Sequence, residues 1–381
     1  MKILVATGIF PPEIGGPATY AALLAQELPK RGIKVDVLPF RTVRKYPRIL
    51  RHIIYFFKVF WRSLNVDIIF TQDPVSTGIP VILASFFSCK KVVLRVAGDY
   101  AWEQACQRFG VKDTIDDFQN KKYGISTELL RYLQKFSVRH ADAVITPSEY
   151  FNHLVSGWNA GKKEVTTVYN GIDVSFISKS SEKSSDFNSS KSPSNFPASV
   201  ETEKTIISAG RLVPWKGFDV LIEVLLQMPE WKLIIAGDGP DKSRLTKLIA
   251  DKKLEDKVSL LGNIPREELL KKVSQSQIFA LLSTFESFSF QIVEAMHVGT
   301  PVIAGDIGNI SEIVENGKDG ILINPENKDE FISAVKRLES DSNFKDMIIR
   351  NAHIKACEFS FEKTLDRLVV VFNKCLKRDS K

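Results

Sequence analysis

Apolar runs recur along this chain at intervals that leave room for a helix between each pair. Lys2–Thr7, Ile33–Phe40, Asp67–Thr71, Lys91–Val96, Ala141–Pro147 and Thr166–Tyr169 make one series. A second opens at Thr205 and continues through Trp231–Ala236, Val258–Leu261, Ile278–Leu282 and Pro301–Ala304. Short runs without polar alternation suit strands covered on both faces, the condition of a parallel sheet. Between them the apolar positions fall at helical spacing, as in Tyr20–Leu28 and from Ser289 onward through Ile292, Val293 and Met296. Repeated strand, helix, strand predicts an α/β chain with two Rossmann-like parallel-sheet domains. Between the two series, residues 175–204 are crowded with Ser, Lys, Asn and Pro, which predicts a flexible linker. The expected domains are 1–174 and 205–360.

Composition narrows the class. The 381 residues are 44% hydrophobic and 25% charged, ordinary for two globular domains with full cores. No apolar run approaches the ~18 residues that span a bilayer; Ile79–Cys89 stops at Lys90 and Lys91. The chain begins on a strand rather than a signal peptide. Its four cysteines, Cys89, Cys106, Cys357 and Cys375, show no Cys-x-x-Cys spacing. The expectation is a reduced, cytoplasmic protein without a structural metal.

Charge is unevenly placed. Residues 1–175 carry 23 Lys/Arg against 15 Asp/Glu, whereas the whole chain has a net charge of +7. The first half therefore favours an anionic partner, membrane lipid or nucleic acid. In the aromatic-rich helix that opens at Pro47, Arg48, Arg51, Lys58 and Arg62 fall on one narrow stripe. Two readings stand: a solvated basic face, or contact with an anionic membrane on its inner face. The charges are interleaved with aliphatic residues and lack a nucleic-acid module, so no nucleic-acid partner is expected.

The candidate chemistry gathers in the second half. Glu286 and Glu294 bracket a polar loop that enters a helix, with Ser287 and Ser289 as candidate N-caps. A helix N-terminus offers unpaired N–H groups, here those of Phe290 and Gln291, to an anion such as phosphate. Carboxylates accept hydrogen bonds from sugar hydroxyls, so two readings stand for this pair: a solvated loop residue and a surface helix residue, or a phosphate between two glutamates, which describes a nucleotide sugar. Arg211 and Lys216 flank a strand-to-helix turn and can converge on a diphosphate. Gly237 and Gly239 end a strand where open α/β sheets bind ligands, and Gly15 and Gly16 follow the first strand. That opening loop is not Gly-x-Gly-x-x-Gly, which argues against a dinucleotide-dependent dehydrogenase. Asp99, after the fourth strand, is either a contact to a sugar hydroxyl or a capping residue.

These segments resemble the retaining glycosyltransferases of family 4. The resemblance rests on Glu286 and Glu294 with Ala295-Met296 and Gly299-Thr300-Pro301-Val302-Ile303-Ala304, and on Gly210-Arg211-Leu212 with Lys216-Gly217. Pro11-Pro12-Glu13-Ile14-Gly15-Gly16, Pro147-Ser148-Glu149-Tyr150 and Asn170-Gly171-Ile172-Asp173 extend it over nearly the whole chain. It implies the GT-B fold, two Rossmann-like domains facing each other across a cleft, with residues 361–381 packing back on the first. It implies a nucleotide-sugar donor held by Arg211, Lys216, Glu286 (transferred sugar) and Glu294 (ribose). Transfer would go to a glycan or lipid-linked acceptor on the first domain, near Gly15 and Asp99, with configuration retained. Two departures stand out. Ser287 and Ser289 occupy positions where the family usually has Gly or Pro, and none of the five histidines, His52, His140, His153, His297 and His353, lies beside Asp99. Neither half contains Asp-x-Asp, so metal-free chemistry without a cofactor is expected. The rival readings are a nucleotide-sugar epimerase of the same architecture and a binding protein with a decayed site.

Overall fold

The structure, a computed structural model, describes residues 1–13, 15–159, 164–173 and 204–377. The linker expected at 175–204 lies outside the described residues except for Lys204, which pairs with Glu230 and Glu339. The chain divides into two compact units, Met1–Tyr169 with Thr364–Lys381, and Asn170–Lys363.

The first unit is built on six strands: β1 Lys2–Thr7, β2 Lys34–Pro39, β3 Ile68–Thr71, β4 Lys91–Arg95, β5 Ala143–Thr146 and β6 Val165–Thr167. They lie parallel in the order β2-β1-β3-β4-β5-β6, with Ile3 in register with both Val35 and Ile68. Every residue of β3 is buried, the burial that its unbroken apolar run requires. The helices that matter here are α1 Gly16–Glu27, α2 Arg48–Ser63, α3 Gly78–Ser88, α4 Tyr100–Phe109 and α5 Ile125–His140. From the chain's end, Phe372 meets Phe70 edge-on at 5.8 Å, and Lys374 pairs with Glu164.

The orientation of α2 corrects the expected basic stripe. Tyr55 and Val59 face inward, and the Tyr55 hydroxyl donates to the Leu38 carbonyl at 2.7 Å. Arg62 is turned back onto the sheet edge, where it pairs with Asp36 at 2.9 Å and donates to the Val37 carbonyl. Arg51 sits 5.6 Å over the Phe40 ring. Nothing is described of the Arg48 side chain, so only Lys58 remains as an unengaged member of the stripe among the described residues. The residues pointing away from the domain are apolar instead.

The second unit repeats the plan with β7 Thr205–Ala209, β8 Lys232–Ala236, β9 Val258–Gly262, β10 Ile278–Leu281, β11 Val302–Gly305 and β12 Ile321–Ile323. The parallel order is β12-β11-β10-β7-β8-β9. β7 and β10 are neighbours from which the order runs in opposite directions, so the loops at their carboxyl ends part and leave a crevice. Its core draws on Phe218, Leu221, Ile235, Phe331 and Ile348, all at most 1% exposed.

Candidate active site

Two loops meet at the crevice of the second unit. One runs from Gly210 to Gly217 after β7, the other from Leu282 to Ser289 after β10. The amide of Thr284 donates to the Trp215 carbonyl at 2.9 Å, which ties them together. Gly217 has φ 67°, and a Cβ there would lie 2.1 Å from the Leu282 carbonyl oxygen, so only glycine permits the approach. This contact seats the Pro214–Lys216 turn on the end of β10.

The consequence is that Lys216 reaches Glu286. Its ammonium pairs with Oε1 of Glu286, and the Ser283 hydroxyl donates to the same oxygen at 2.8 Å. Both partners of the ion pair are largely buried. Oε2 of Glu286 makes no hydrogen bond among the described residues. Arg211, by contrast, is exposed and makes no ion pair or hydrogen bond among them. Of the two expected cations, one is thus engaged with the expected sugar-binding carboxylate and one is uncommitted.

The helix α7, Phe290–His297, starts directly after this loop; α6 is Arg266–Gln275. Ser289 is the N-cap, its hydroxyl accepting from the Ile292 amide at 3.3 Å. Phe290 and Gln291 remain partly accessible at the first turn, and their amides have no partner among the described residues. Glu294, one turn on, is buried and bonded through Oε1 to Arg266, Nε at 2.7 Å and Nη2 at 2.6 Å. Burial raises the Glu294 pKa above its ordinary value, and Arg266 opposes that rise. Its Oε2 also carries no hydrogen bond among the described residues. Arg266 and Ser283 were not singled out from sequence. Arg266 lies 28 residues before its partner, a separation that no local pattern reveals.

Gly237 and Gly239 pack closely against the loop that carries Arg211. A Cβ on Gly237 would come 1.9 Å from the Gly210 carbonyl oxygen, and one on Gly239 2.2 Å from that of Leu212. The Leu212 amide donates to the Asp238 carbonyl at 3.1 Å. These glycines let two loops pack together and so hold the backbone of Arg211.

In the first unit, Asp99 takes the second of its two readings, a helix cap. It is 0% exposed. Oδ1 accepts from the Trp102 amide at 3.0 Å and from Gln134 at 2.9 Å, and Oδ2 accepts from Gln119 at 2.9 Å. Both oxygens are spent inside the domain, and burial raises its pKa. Gly15 caps α1, with the Ala18 and Thr19 amides on its carbonyl, and Gly16 is the first helical residue.

A metal-capable cluster does occur: side-chain atoms of His297, His353 and Cys357 lie within 4.8 Å of one another. The two imidazoles are stacked, 4.9 Å apart and 24° from parallel. Ring-nitrogen lone pairs lie in the ring planes, so one ring must rotate out of the stack before both reach one ion.

Comparison with known proteins follows this geometry. Residues 14–176 match the family described as Glycosyltransferase Family 4, and residues 191–355 match Glycosyl transferases group 1. An uncharacterized glycosyltransferase of Methanocaldococcus jannaschii is 30% identical over 238 residues, 60% of this chain and 59% of that protein. An alpha-D-kanosaminyltransferase of Streptomyces kanamyceticus is matched over only 46% of its length, so the chain spans about half of these curated relatives. The N-acetyl-alpha-D-glucosaminyl L-malate synthase of Bacillus anthracis is 24% identical, with 84% of each chain covered. Among solved structures, sucrose-phosphate synthase from Thermosynechococcus elongatus superposes with a TM-score of 0.77 at 17% identity, covering 98% of this chain and 99% of that one. Anabaena HepE in complex with UDP-glucose gives 0.73 at 22% identity, covering 98% and 100%. At those identities the likeness is one of fold, and the fold is GT-B.

Proposed function

This chain belongs to the group 1, family 4 glycosyltransferases, and from that premise we propose that it transfers a sugar from a nucleoside-diphosphate donor with retention and without a metal. The observation that carries the reading is the pair of carboxylates on either side of the first turn of α7. Each is fixed through Oε1 by a cation, and each leaves Oε2 without a partner among the described residues. Such oxygens are preorganised acceptors for hydroxyl groups, Glu286 for the transferred sugar and Glu294 for the ribose. That HepE was solved with UDP and with UDP-glucose supports a nucleotide-sugar donor.

The diphosphate falls to Arg211, Lys216 and the first-turn amides. An ammonium has three donors, so Lys216 can keep its bond to Glu286 while donating to a phosphate oxygen. As the bond from the anomeric carbon to the phosphate oxygen breaks, negative charge grows on the diphosphate and meets these fixed cations and dipoles. The acceptor hydroxyl attacks the same face of the sugar, and its proton passes to the departing phosphate oxygen. The products are the glycosylated acceptor, a glycan or lipid-linked molecule, and a nucleoside diphosphate. No carboxylate base is needed, which fits an Asp99 confined to capping.

The test is a panel of nucleotide sugars in EDTA, with diphosphate release and sugar identity followed together. Diphosphate release without added metal is expected. Release only after magnesium or manganese is restored refutes the metal-free mechanism. An epimerised donor without release would identify an epimerase, and tight donor binding with no turnover a decayed site.

A further inference from the structure

The outward side of α2 carries Ile49, Ile53, Phe57 and Trp61 at successive four-residue steps. Ile49 is 79% exposed and Trp61 65%. A surface helix normally places polar residues there. Its neighbour α3 turns Phe86 and Phe87 outward, the latter 71% exposed. On the other side of α3, α5 exposes Ile125, Leu129 and Tyr132 at helical spacing. The three helices form one continuous surface, because Phe56 meets Phe87 at 6.0 Å and Phe86 meets His140 at 5.7 Å. Exposed apolar ground of this extent marks an interaction site.

Charge selects the partner. Neither α2 nor α3 contains a single Asp or Glu. Lys58, Lys90, Lys135 and Arg139 stand on or beside these helices, and none makes an ion pair among the described residues. No described helix is long and apolar enough to cross a membrane. We propose that this face docks on a lipid bilayer bearing anionic headgroups, with the aromatic residues entering the boundary of the acyl chains and the lysines and Arg139 meeting the phosphates. A second copy of the chain fits less well, since two such faces would bring unpaired cations together with no acid on α2 or α3 to answer them. The proposal goes beyond the donor site and stands whether or not that reading holds.

The experiment uses the full chain and vesicles of phosphatidylglycerol or phosphatidylcholine, read by co-sedimentation and tryptophan emission. Trp102, Trp158 and Trp231 are buried, Trp215 is half-buried in the second unit and Trp61 is exposed on α2, so insertion shifts the emission of Trp61 to the blue. The expected result is binding to phosphatidylglycerol, with the shift lost in Trp61→Phe while sedimentation persists. Phe57→Ser with Phe87→Ser weakens partitioning by about tenfold or more without lowering the melting temperature, because both side chains are exposed. Lys58→Gln with Lys90→Gln and Arg139→Gln weakens binding to the anionic vesicles only. Three results overturn the proposal: no sedimentation at low salt, binding indifferent to the aromatic substitutions, or a dimer in sedimentation velocity that those substitutions abolish while vesicles are ignored.

Discussion

The two units place polar residues at the same topological position and use them in opposite ways. At the strand ends of the first sheet, Asp99 gives both oxygens to donors of its own domain. Arg95 is buried with its guanidinium 4.2 Å over the Tyr20 ring. Asp73 turns Oδ1 onto the Val75 and Ser76 amides of its own loop. At the crevice of the second sheet, among the described residues, Arg211 is uncommitted, and Glu286 and Glu294 each hold back one oxygen. A shared scaffold therefore says little about where chemistry happens. What distinguishes the second sheet's crevice is polar capacity left unspent among the described residues.

Breaking that capacity in the second unit gives the largest effect. Lys216→Met removes a cation from the leaving group and leaves Glu286 without its partner, so turnover falls about 10²–10³-fold. Measuring kcat at saturating donor checks this; a fall below tenfold would remove Lys216 from the mechanism.

Next come the two glutamates, which separate by kinetics. Glu294→Ala raises KM for the donor about tenfold or more with kcat nearly held, because a ribose contact is alike in ground and transition states. Glu286→Ala depresses kcat more than KM, since its sugar contact strengthens as charge develops. Equal KM effects in both variants would erase the division of roles.

Asp99→Ala sharpens the contrast from the other side. It removes a cap, worth about 0.5–2 kcal/mol, and leaves the Gln134 and Gln119 amides without their acceptor. The expected outcome is a lower denaturation midpoint with turnover per folded molecule unchanged. A large loss of turnover in stable protein would return Asp99 to the site.

The smallest effect is on pH. Burial, and then His353, lower the His297 pKa from 6.5 to about 4 in the folded protein. Unfolded chains therefore bind this proton first as pH falls, and the stability it contributes is full above about pH 6.5 and lost toward pH 4. Thermal melts from pH 7 to 4 should fall less steeply in His297→Gln than in the parent. Parallel curves would show that His297 is not the group responsible.

Sequence carried the architecture because parallel strands announce themselves as unbroken apolar runs. The strands and the helix after Ser289 are legible that way. The resemblance to family 4 singled out Arg211, Lys216, Glu286 and Glu294, and the structure brings Lys216 to Glu286. What sequence could not show is how each group is spent. The ion pair of Lys216 with Glu286 spans 70 residues, and Arg266 comes from another helix. Asp99 had two readings that only its burial separates. In α2 the amphipathic pattern was visible but its direction was not, because the first domain buries the face carrying Tyr55 and Val59 and leaves Phe57 and Trp61 outside.

Calorimetric titration of nucleoside diphosphates into the parent, Arg211→Ala and Asp99→Ala tests the contrast most directly. If unspent charge at the second sheet's crevice holds the donor, the parent and Asp99→Ala bind alike, and Arg211→Ala binds about tenfold or more weakly. Undiminished binding by Arg211→Ala, with binding lost in a folded Asp99→Ala, would contradict the account.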